Sequence, residues 1–216
     1  AFVVKVGSSA NTVNPTNNVY ITGNKINVAS PADSDTAKRV IYQADKISGN
    51  INIVDNSINY VSANKNKIIG ISCANGTIEN NNIKGNIFMG IENGIVKYNH
   101  ISGSSVGIYN PVAAEGNIIS GASKGIMLTK PAGRIVKNII KLKHEKGKNF
   151  GVLILESVGD LSEVSCSKNT IHTYENDVAY YFTGGTVEFN NSNINIGEGR
   201  VVYLGENASL TSFIEQ

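Results

Sequence analysis

The tripeptide Asn-x-Ile recurs along the chain, and this repeat restricts the possible folds more than any other feature of the sequence. Seven copies are present, and they begin at Asn24, Asn56, Asn81, Asn99, Asn117, Asn138 and Asn169. An eighth segment, Ser192-Asn193-Ile194, keeps the isoleucine but has Ser in the place of the Asn. Because the chain contains about thirty asparagines, the residues that flank the tripeptide must show whether it marks a structural repeat.

Two further apolar positions accompany the tripeptide. A small or apolar residue stands five positions before every isoleucine, and this column one consists of Ile21, Ile53, Ile78, Val96, Ala114, Ile135, Cys166 and Phe189. The eight isoleucines form column two. A third apolar position, column three, usually follows seven or eight residues later and often comes after a glycine. Its predicted members are Val40, Ile71, Ile91, Ile108, Ile126, Val152, Val178 and Val201.

Three apolar positions per repeat, separated by Gly or Asn turns, predict three short strands around one shared interior in each coil. Successive coils would then pair in parallel, about 4.8 Å apart. Leucine-rich repeats need a Leu-x-x-Leu-x-Leu frame and helical repeats need a 3.6-residue apolar period, and the chain has neither. We therefore expect an all-β fold, a single-stranded right-handed parallel β-helix of about eight coils with three short sheets.

The recurrent asparagine has a structural explanation. An amide at a tight turn can occupy the left-handed region, and stacked amides can hydrogen-bond from coil to coil. The repeat covers nearly the whole chain, which predicts a single domain over residues 1–216. Within it, 1–20 would form an N-terminal edge or cap, 21–204 the coils and 205–216 a C-terminal edge or cap.

Composition excludes several classes of function. Charged residues make up only 17% of the chain and the net charge is +2, which argues against binding to nucleic acid. No segment is long and apolar enough to predict membrane insertion. Cys73 and Cys166 fall on inward positions several coils apart, so both are predicted to be buried free thiols.

The repeat resembles the parallel β-helix superfamily that includes pectate lyases, polygalacturonases and bacteriophage tailspikes. The family's catalytic signatures are not intact here: the Asn-Thr-Asp, Asp-Asp and His-Gly elements of the hydrolases are missing, as is a close aspartate pair for calcium. No metal and no cofactor are therefore expected. The resemblance implies the fold, and the side-by-side packing of tailspikes implies a homotrimer.

The outward positions after column two predict a glycan-binding surface of hydroxyl, cationic and aromatic groups, and loops enlarge beside it. The predicted glycan-binding residues are Lys84, Ser102, Ser120, Lys141, Lys143 and Tyr174. If the chain is a hydrolase or lyase, we expect one carboxylate from Glu145, Glu175 or Asp177, with His172 or Tyr174 as its proton partner. Ordinary solvated loop charges are the competing interpretation of these residues.

The outward positions after column three are unusually apolar for a solvent-exposed sheet. They predict an oligomer interface formed by Met127, Leu153, Leu155, Tyr181, Val202 and Leu204. A terminal segment that covers the same sheet is the alternative explanation.

Three hypotheses about function follow. The first is a tailspike-like protein, virion-associated or extracellular, that binds a bacterial surface polysaccharide and, if it is an enzyme, depolymerises it. The second is a non-catalytic structural or adhesive β-helix, such as a virion decoration protein or a fibre segment. The third, a secreted pectate-lyase-like enzyme, is disfavoured because the calcium-binding aspartates are missing.

Overall fold

The computed structural model describes residues 2–6, 18–29, 38–43, 50–61, 68–130, 133–145, 147–155, 164–190 and 192–213. These ranges contain 24 strands. In chain order they are β1 (Phe2–Val6), β2 (Val19–Thr22), β3 (Lys25–Ala29), β4 (Lys38–Gln43), β5 (Ile51–Val54), β6 (Ser57–Val61), β7 (Ile68–Ser72), β8 (Gly76–Glu79), β9 (Asn82–Gly85), β10 (Met89–Glu92), β11 (Ile95–Lys97), β12 (His100–Ser102), β13 (Val106–Tyr109), β14 (Ala113–Glu115), β15 (Ile118–Ala122), β16 (Lys124–Leu128), β17 (Arg134–Val136), β18 (Ile139–Leu142), β19 (Phe150–Ile154), β20 (Val164–Ser167), β21 (Thr170–Thr173), β22 (Val178–Asn190), β23 (Ile194–Gly197) and β24 (Arg200–Phe213).

From β1 to β19, each strand pairs in parallel with the strand three places later in the chain, for example β1 with β4 and β2 with β5. The chain therefore builds three stacks of strands around one interior. The column-one sheet runs from β2 to β20, the column-two sheet from β3 to β23, and the column-three sheet from β1 to β19. The long strands β22 and β24 continue both the column-three and the column-one sheets. The described residues contain no helix. The predicted all-β, parallel β-helix architecture is confirmed.

Column one is confirmed along its whole length. Each predicted member pairs with the member in the next coil, from Ile21 opposite Ile53 to Cys166 opposite Phe189. Except for Phe189, which is half-buried, all are buried. The alternation of side chains along each strand therefore places one row inward over the whole stack.

Column two is confirmed from Ile26 to Ile171 but is wrong at its last member. Ile194 pairs with Thr170 and is 53% exposed, while Asn195 lies opposite Ile171. The corner before this strand contains one more residue than the earlier corners, because three residues rather than two lie between Phe189 and the stacking asparagine, Asn193. A one-residue slip turns a side chain to the other face. The β-helix therefore stands, with its last coil shifted by one position.

Column three also needs corrections at its ends. The inward row runs through Ile41, Ile71, Ile91, Ile108, Ile126, Val152, Tyr180 and Val202. Ile41 rather than Val40 is thus in register with the middle of the stack. Val178 lies two positions before Tyr180, and Val201 is 50% exposed because its neighbour Val202 continues the inward row.

The glycine before column three is required by the narrow interior. The glycines at this position are Gly70, Gly90, Gly107, Gly125 and Gly151. A Cβ on Gly107 would lie 2.5 Å from the carbonyl oxygen of Gly125 and 2.7 Å from Cγ2 of Ile119. The same contacts, at 2.5 to 3.1 Å, recur at the other four glycines. Removing the side chain therefore lets column three approach the isoleucines of column two.

The asparagines before column two form the predicted ladder. Each of the first seven members donates to Oδ1 of the next through both its backbone N–H and its side-chain amide. The members are Asn24, Asn56, Asn81, Asn99, Asn117, Asn138, Asn169 and Asn193. The left-handed residue is not the asparagine but the one before it, for example Tyr98 (φ 53°) and Lys137 (φ 58°). The turn and the ladder are therefore adjacent positions of one corner.

Both cysteines are buried free thiols, as predicted. Burial raises the pKa of the Cys73 thiol to about 11 and that of Cys166 to about 12. The Cys73 thiol donates to Oε1 of Gln43 at 2.9 Å. The phenol of Tyr180 has a pKa raised by burial, and its hydroxyl donates to Oδ1 of Asn193 at 3.0 Å. Cys166 and Tyr180 thus fill the interior of the last coils, whereas Cys73 and Gln43 lie in the N-terminal part of the stack.

Candidate functional site

The predicted row on the outer face of the column-two sheet is present. Lys84, Ser102, Ser120, Lys141 and His172 occupy the same position on five successive strands. Lys84 and Lys141 are exposed, and the other three are half-buried. Neighbouring side chains are therefore separated by one strand spacing, about 4.8 Å.

A cleft of about 390 Å³ opens at the corner between the column-two and column-three sheets, over the last coils. The segment after β18 contributes one wall, and the turn after β21 contributes the other. The lining residues are His144, Glu145, Gly147, Tyr174, Glu175, Asn176, Asp177 and Glu198. The structure thus brings together the three predicted carboxylates and Tyr174, although their loops are about thirty residues apart in the sequence.

The two walls of the cleft are held by different contacts. His144 and Tyr174 pack with ring centroids 4.3 Å apart. Glu145 forms an ion pair with Lys143, which lies on the same wall. Lys143 also lines a smaller concavity of about 230 Å³, formed by the serine-rich corners of the preceding coils, including Ser105 and Ser123. The cleft therefore adjoins a polar strip that continues towards the N-terminal coils.

Asp177 has a structural role in the cleft rather than an open carboxylate. It is 2% exposed, and its Oδ1 accepts from the backbone N–H and the side-chain amide of Asn149 at 3.2 and 2.8 Å. Its Oδ2 accepts from the backbone N–H of Tyr174 at 2.9 Å. Both oxygens are thus used to fix the two walls relative to each other. Glu175, which is exposed, and Glu145 are the accessible carboxylates among those predicted.

His172 is not part of the cleft lining. It remains on the strand row beside Lys141, while the chain turns into the cleft at Tyr174. Four lining residues were not among the predicted site residues, namely His144, Gly147, Asn176 and Glu198. The enlarged loop that contains Glu145 also contains His144 and could have indicated it. Glu198 lies in the last coil, where the one-residue shift removed the repeat as a guide.

The outward orientation predicted for the residues of the oligomer face is only partly present, and the interface itself stays a prediction. Met127, Leu153 and Tyr181 do form one outward row, which ends at Tyr203. Leu153 is nevertheless only 4% exposed, and Leu155 follows the end of β19 and is half-buried.

Val202 and Leu204 were predicted on the wrong face. They pair with Tyr180 and Phe182, which are buried in the core, so their register continues the inward row. Val202 is half-buried there, and Leu204 is 43% exposed. The outward residue between them is Tyr203, whose ring stacks on Tyr181 with centroids 4.5 Å apart.

The described part of the chain contains no group of three or more His, Cys, Asp or Glu side chains that could hold a metal ion. Within the same residues, no helix is long and apolar enough to cross a membrane. Comparison with known proteins finds no family model, no curated protein and no solved structure that matches the chain.

Proposed function

We propose that the protein binds a bacterial surface polysaccharide in the manner of a phage tailspike and depolymerises it at the corner cleft. The cleft carries this proposal, because it combines accessible carboxylates with a tyrosine and a histidine beside a row of hydroxyl and ammonium groups. Such a row offers hydrogen bonds to a chain of sugars that lies along the stack. The proposal places the protein on a virion or outside the cell, as a homotrimer.

Right-handed winding over about eight coils belongs to the same proposal. Crossovers between parallel strands of one sheet are right-handed in almost all proteins. The column-two sheet contains eight strands, which corresponds to one strand for each coil.

Glu145 and Glu175 are the carboxylates proposed for hydrolysis. Glycosidases use one carboxyl group as acid and a second as base or nucleophile, on opposite sides of the bond that is cleaved. These two residues lie on opposite walls of the cleft, since they belong to different loops. A lyase would need a base and a proton donor, for which Glu175 and Tyr174 are the proposed pair. Asp177 supports the site by holding the Tyr174 turn.

A non-catalytic adhesive or structural β-helix is the second candidate. The observation that favours it is the commitment of Asp177 to structural hydrogen bonds, together with the position of His172 outside the cleft. Two of the four predicted catalytic residues are thus unavailable to a substrate in the cleft. In this case the row and the cleft would bind a polymer without cleaving it.

The test uses purified capsular polysaccharides and lipopolysaccharides, with retention and the release of reducing ends measured in parallel. For an inverting or retaining hydrolase, Glu145→Gln and Glu175→Gln should each lower release at least about a hundredfold and leave retention intact. Glu206→Gln, at an exposed position on β24, is the matched control and should not change release.

Retention without release by the wild-type protein would favour the adhesive alternative. No retention of any polysaccharide by the wild-type protein would refute the proposed function. Size-exclusion chromatography with light scattering on the same preparations should show a trimer, and a monomer at high concentration would contradict that part of the proposal.

A further inference from the structure

A second concavity lies on the outer face of the column-one sheet, in the N-terminal half of the stack. Its volume is about 490 Å³, and it shares no lining residue with the corner cleft. Its floor is an outward row in which Tyr20, Asn52, Thr77 and Ile95 follow one another on successive strands. Its rim comes from the corners before these strands. The groove is thus built on paired strands rather than on a single loop.

Among the residues that the structure describes, the lining of this groove contains no charged side chain. Within the described ranges, no residue hydrogen-bonds the side-chain amides of Asn50, Asn52 and Asn75 or the hydroxyl of Thr77. Each amide offers two donors and an acceptor, and the hydroxyl offers one donor with its acceptor capacity. The groove therefore presents an array of uncommitted neutral donors and acceptors.

Apolar surface lies next to these polar groups. Tyr20 is 64% exposed, Ile95 is 38% exposed and Val112 is 53% exposed. A tyrosine combines an apolar ring face with a polar hydroxyl, and the Tyr20 hydroxyl accepts from the amide of Asn18 at 3.4 Å. A ligand with hydroxyl groups at its edge and C–H groups on its faces would satisfy both kinds of surface.

The length of the floor indicates the size of the ligand. Four strands at about 4.8 Å spacing extend over roughly 14 Å from Tyr20 to Ile95. A single small ring would contact only part of this row. An extended neutral ligand would contact all four side chains, and it would avoid the cost of removing a charge from water without a partner.

We propose that this groove binds a neutral oligosaccharide at a site separate from the corner cleft. The proposal does not depend on the cleft having any activity. It identifies Tyr20 as the stacking surface, and Asn52 and Thr77 as the hydrogen-bonding residues of the floor. A charged oligosaccharide is disfavoured because none of the described lining residues carries a charge that could pair with it.

The experiment is titration calorimetry with hexasaccharides. The neutral probes are hexamers of glucose, mannose, galactose and N-acetylglucosamine, and the charged probes are hexagalacturonate and the chitosan hexamer. At least one neutral hexamer should bind. Tyr20→Ala and Asn52→Ala should each weaken its binding about tenfold, which corresponds to about 1.4 kcal/mol, because each removes a contact to the ligand.

Matched controls separate the groove from the rest of the molecule. Tyr20→Phe keeps the ring and should retain most of the affinity. Asn59→Ala removes an exposed asparagine from the same coil on the column-two sheet and should have no effect. The titrations test the groove through Tyr20→Ala and Asn52→Ala, whereas the reducing-end assay tests the cleft through Glu145→Gln and Glu175→Gln, so failure of the cleft proposal and failure of the groove proposal are distinguishable.

Three results would overturn the proposal: no binding of any neutral hexamer, equal binding of the charged hexamers, or binding that is insensitive to both Tyr20→Ala and Asn52→Ala. Circular dichroism of each variant shows whether the fold is retained. If the groove instead served as a contact between copies of the chain, Tyr20→Ala would change the mass in light scattering and the neutral hexamers would not bind.

Discussion

Replacement of Asn99 by Ala tests whether the asparagine ladder stabilises the stack. The Asn99 amide donates to the carbonyl oxygens of Ile78 and Lys97, both at 2.9 Å, and to Oδ1 of Asn117 at 3.1 Å. Its Oδ1 accepts from the backbone N–H and the side-chain amide of Asn81 at 2.9 and 3.0 Å. These hydrogen bonds lie in a buried corner, where Asn99 is 1% exposed.

The magnitude follows from what the truncation leaves unpaired. The backbone N–H of Asn81 loses its acceptor, whereas the Asn81 amide keeps its bonds to Ile53 and Glu79. A buried donor without a partner costs about 1–3 kcal/mol, and the weakened carbonyl contacts add to this. We therefore expect Asn99→Ala to lower the free energy of unfolding by about 2–4 kcal/mol.

The assay is unfolding in guanidinium, monitored by circular dichroism. Hydrogen exchange at the backbone N–H of Asn81 provides a local measurement. Asn59→Ala is the control, because Asn59 is exposed and makes only a 3.5 Å contact with Asn27, and it should stay within about 0.5 kcal/mol of the wild type. A loss for Asn99→Ala no larger than that of Asn59→Ala would refute the reasoning.

An isosteric variant separates hydrogen bonding from shape. Asn99→Asp keeps the size of the side chain but points an oxygen at the carbonyls of Ile78 and Lys97 and buries a charge. At neutral pH it should be less stable than Asn99→Ala, and it should recover stability as the pH falls and the carboxylate is protonated. Equal stability of Asn99→Asp and the wild type at pH 7 would show that the amide donors contribute little.

Two further predictions concern the interior. Gly107→Ala should lower the free energy of unfolding by about 1–3 kcal/mol, because the added Cβ meets a backbone oxygen at 2.5 Å. In Gly133→Ala the added Cβ meets only one atom, at 3.3 Å, and the loss should be smaller. Equal unfolding midpoints for the two variants would contradict the role of the glycine position. Burial raises the pKa of the Cys166 thiol from 9.0 to about 12, so the stability that the neutral thiol contributes should be complete below pH 9 and be lost as the pH rises towards 12. The unfolding curves of the wild type and Cys166→Ala should therefore converge in alkali. A constant difference between them from about pH 8 to 12 would argue against burial as the cause.

The sequence predicts the middle of the fold well because two periodic signals agree there. Column one and the asparagine ladder keep a constant separation of three residues from Ile53 to Asn169, and local alternation then determines which side chains point inward. Hydrophobicity alone does not determine the register at the last coil. Positions 194 and 196 are both isoleucine. The hydrogen bond from the Asn169 amide to Asn193 selects the register that turns both isoleucines outward.

The candidate site could be predicted only in part. Enlarged loops beside the column-two sheet indicated Glu145, Glu175 and Tyr174, because insertions on a rigid scaffold often carry function. The structural role of Asp177 depends on a contact with Asn149 in the preceding coil, which sequence spacing does not reveal. The column-one groove was missed for a different reason: its asparagines have the same residue type as those at turns, and their outward position becomes visible only from the register.

The ladder also fixes the spacing of the outward side chains along the stack. Because each asparagine is bonded to the next at a fixed place, coils cannot slide past one another, and every outer row repeats at the strand spacing of about 4.8 Å. Between Asn81, Asn99 and Asn117, one interval corresponds to 18 residues. A linear polymer that lies along the stack therefore meets side chains at a constant interval, and it stays in step only if its own repeat is commensurate with that interval. Insertions in the corners can lengthen a coil by several residues without altering the spacing of the outward side chains.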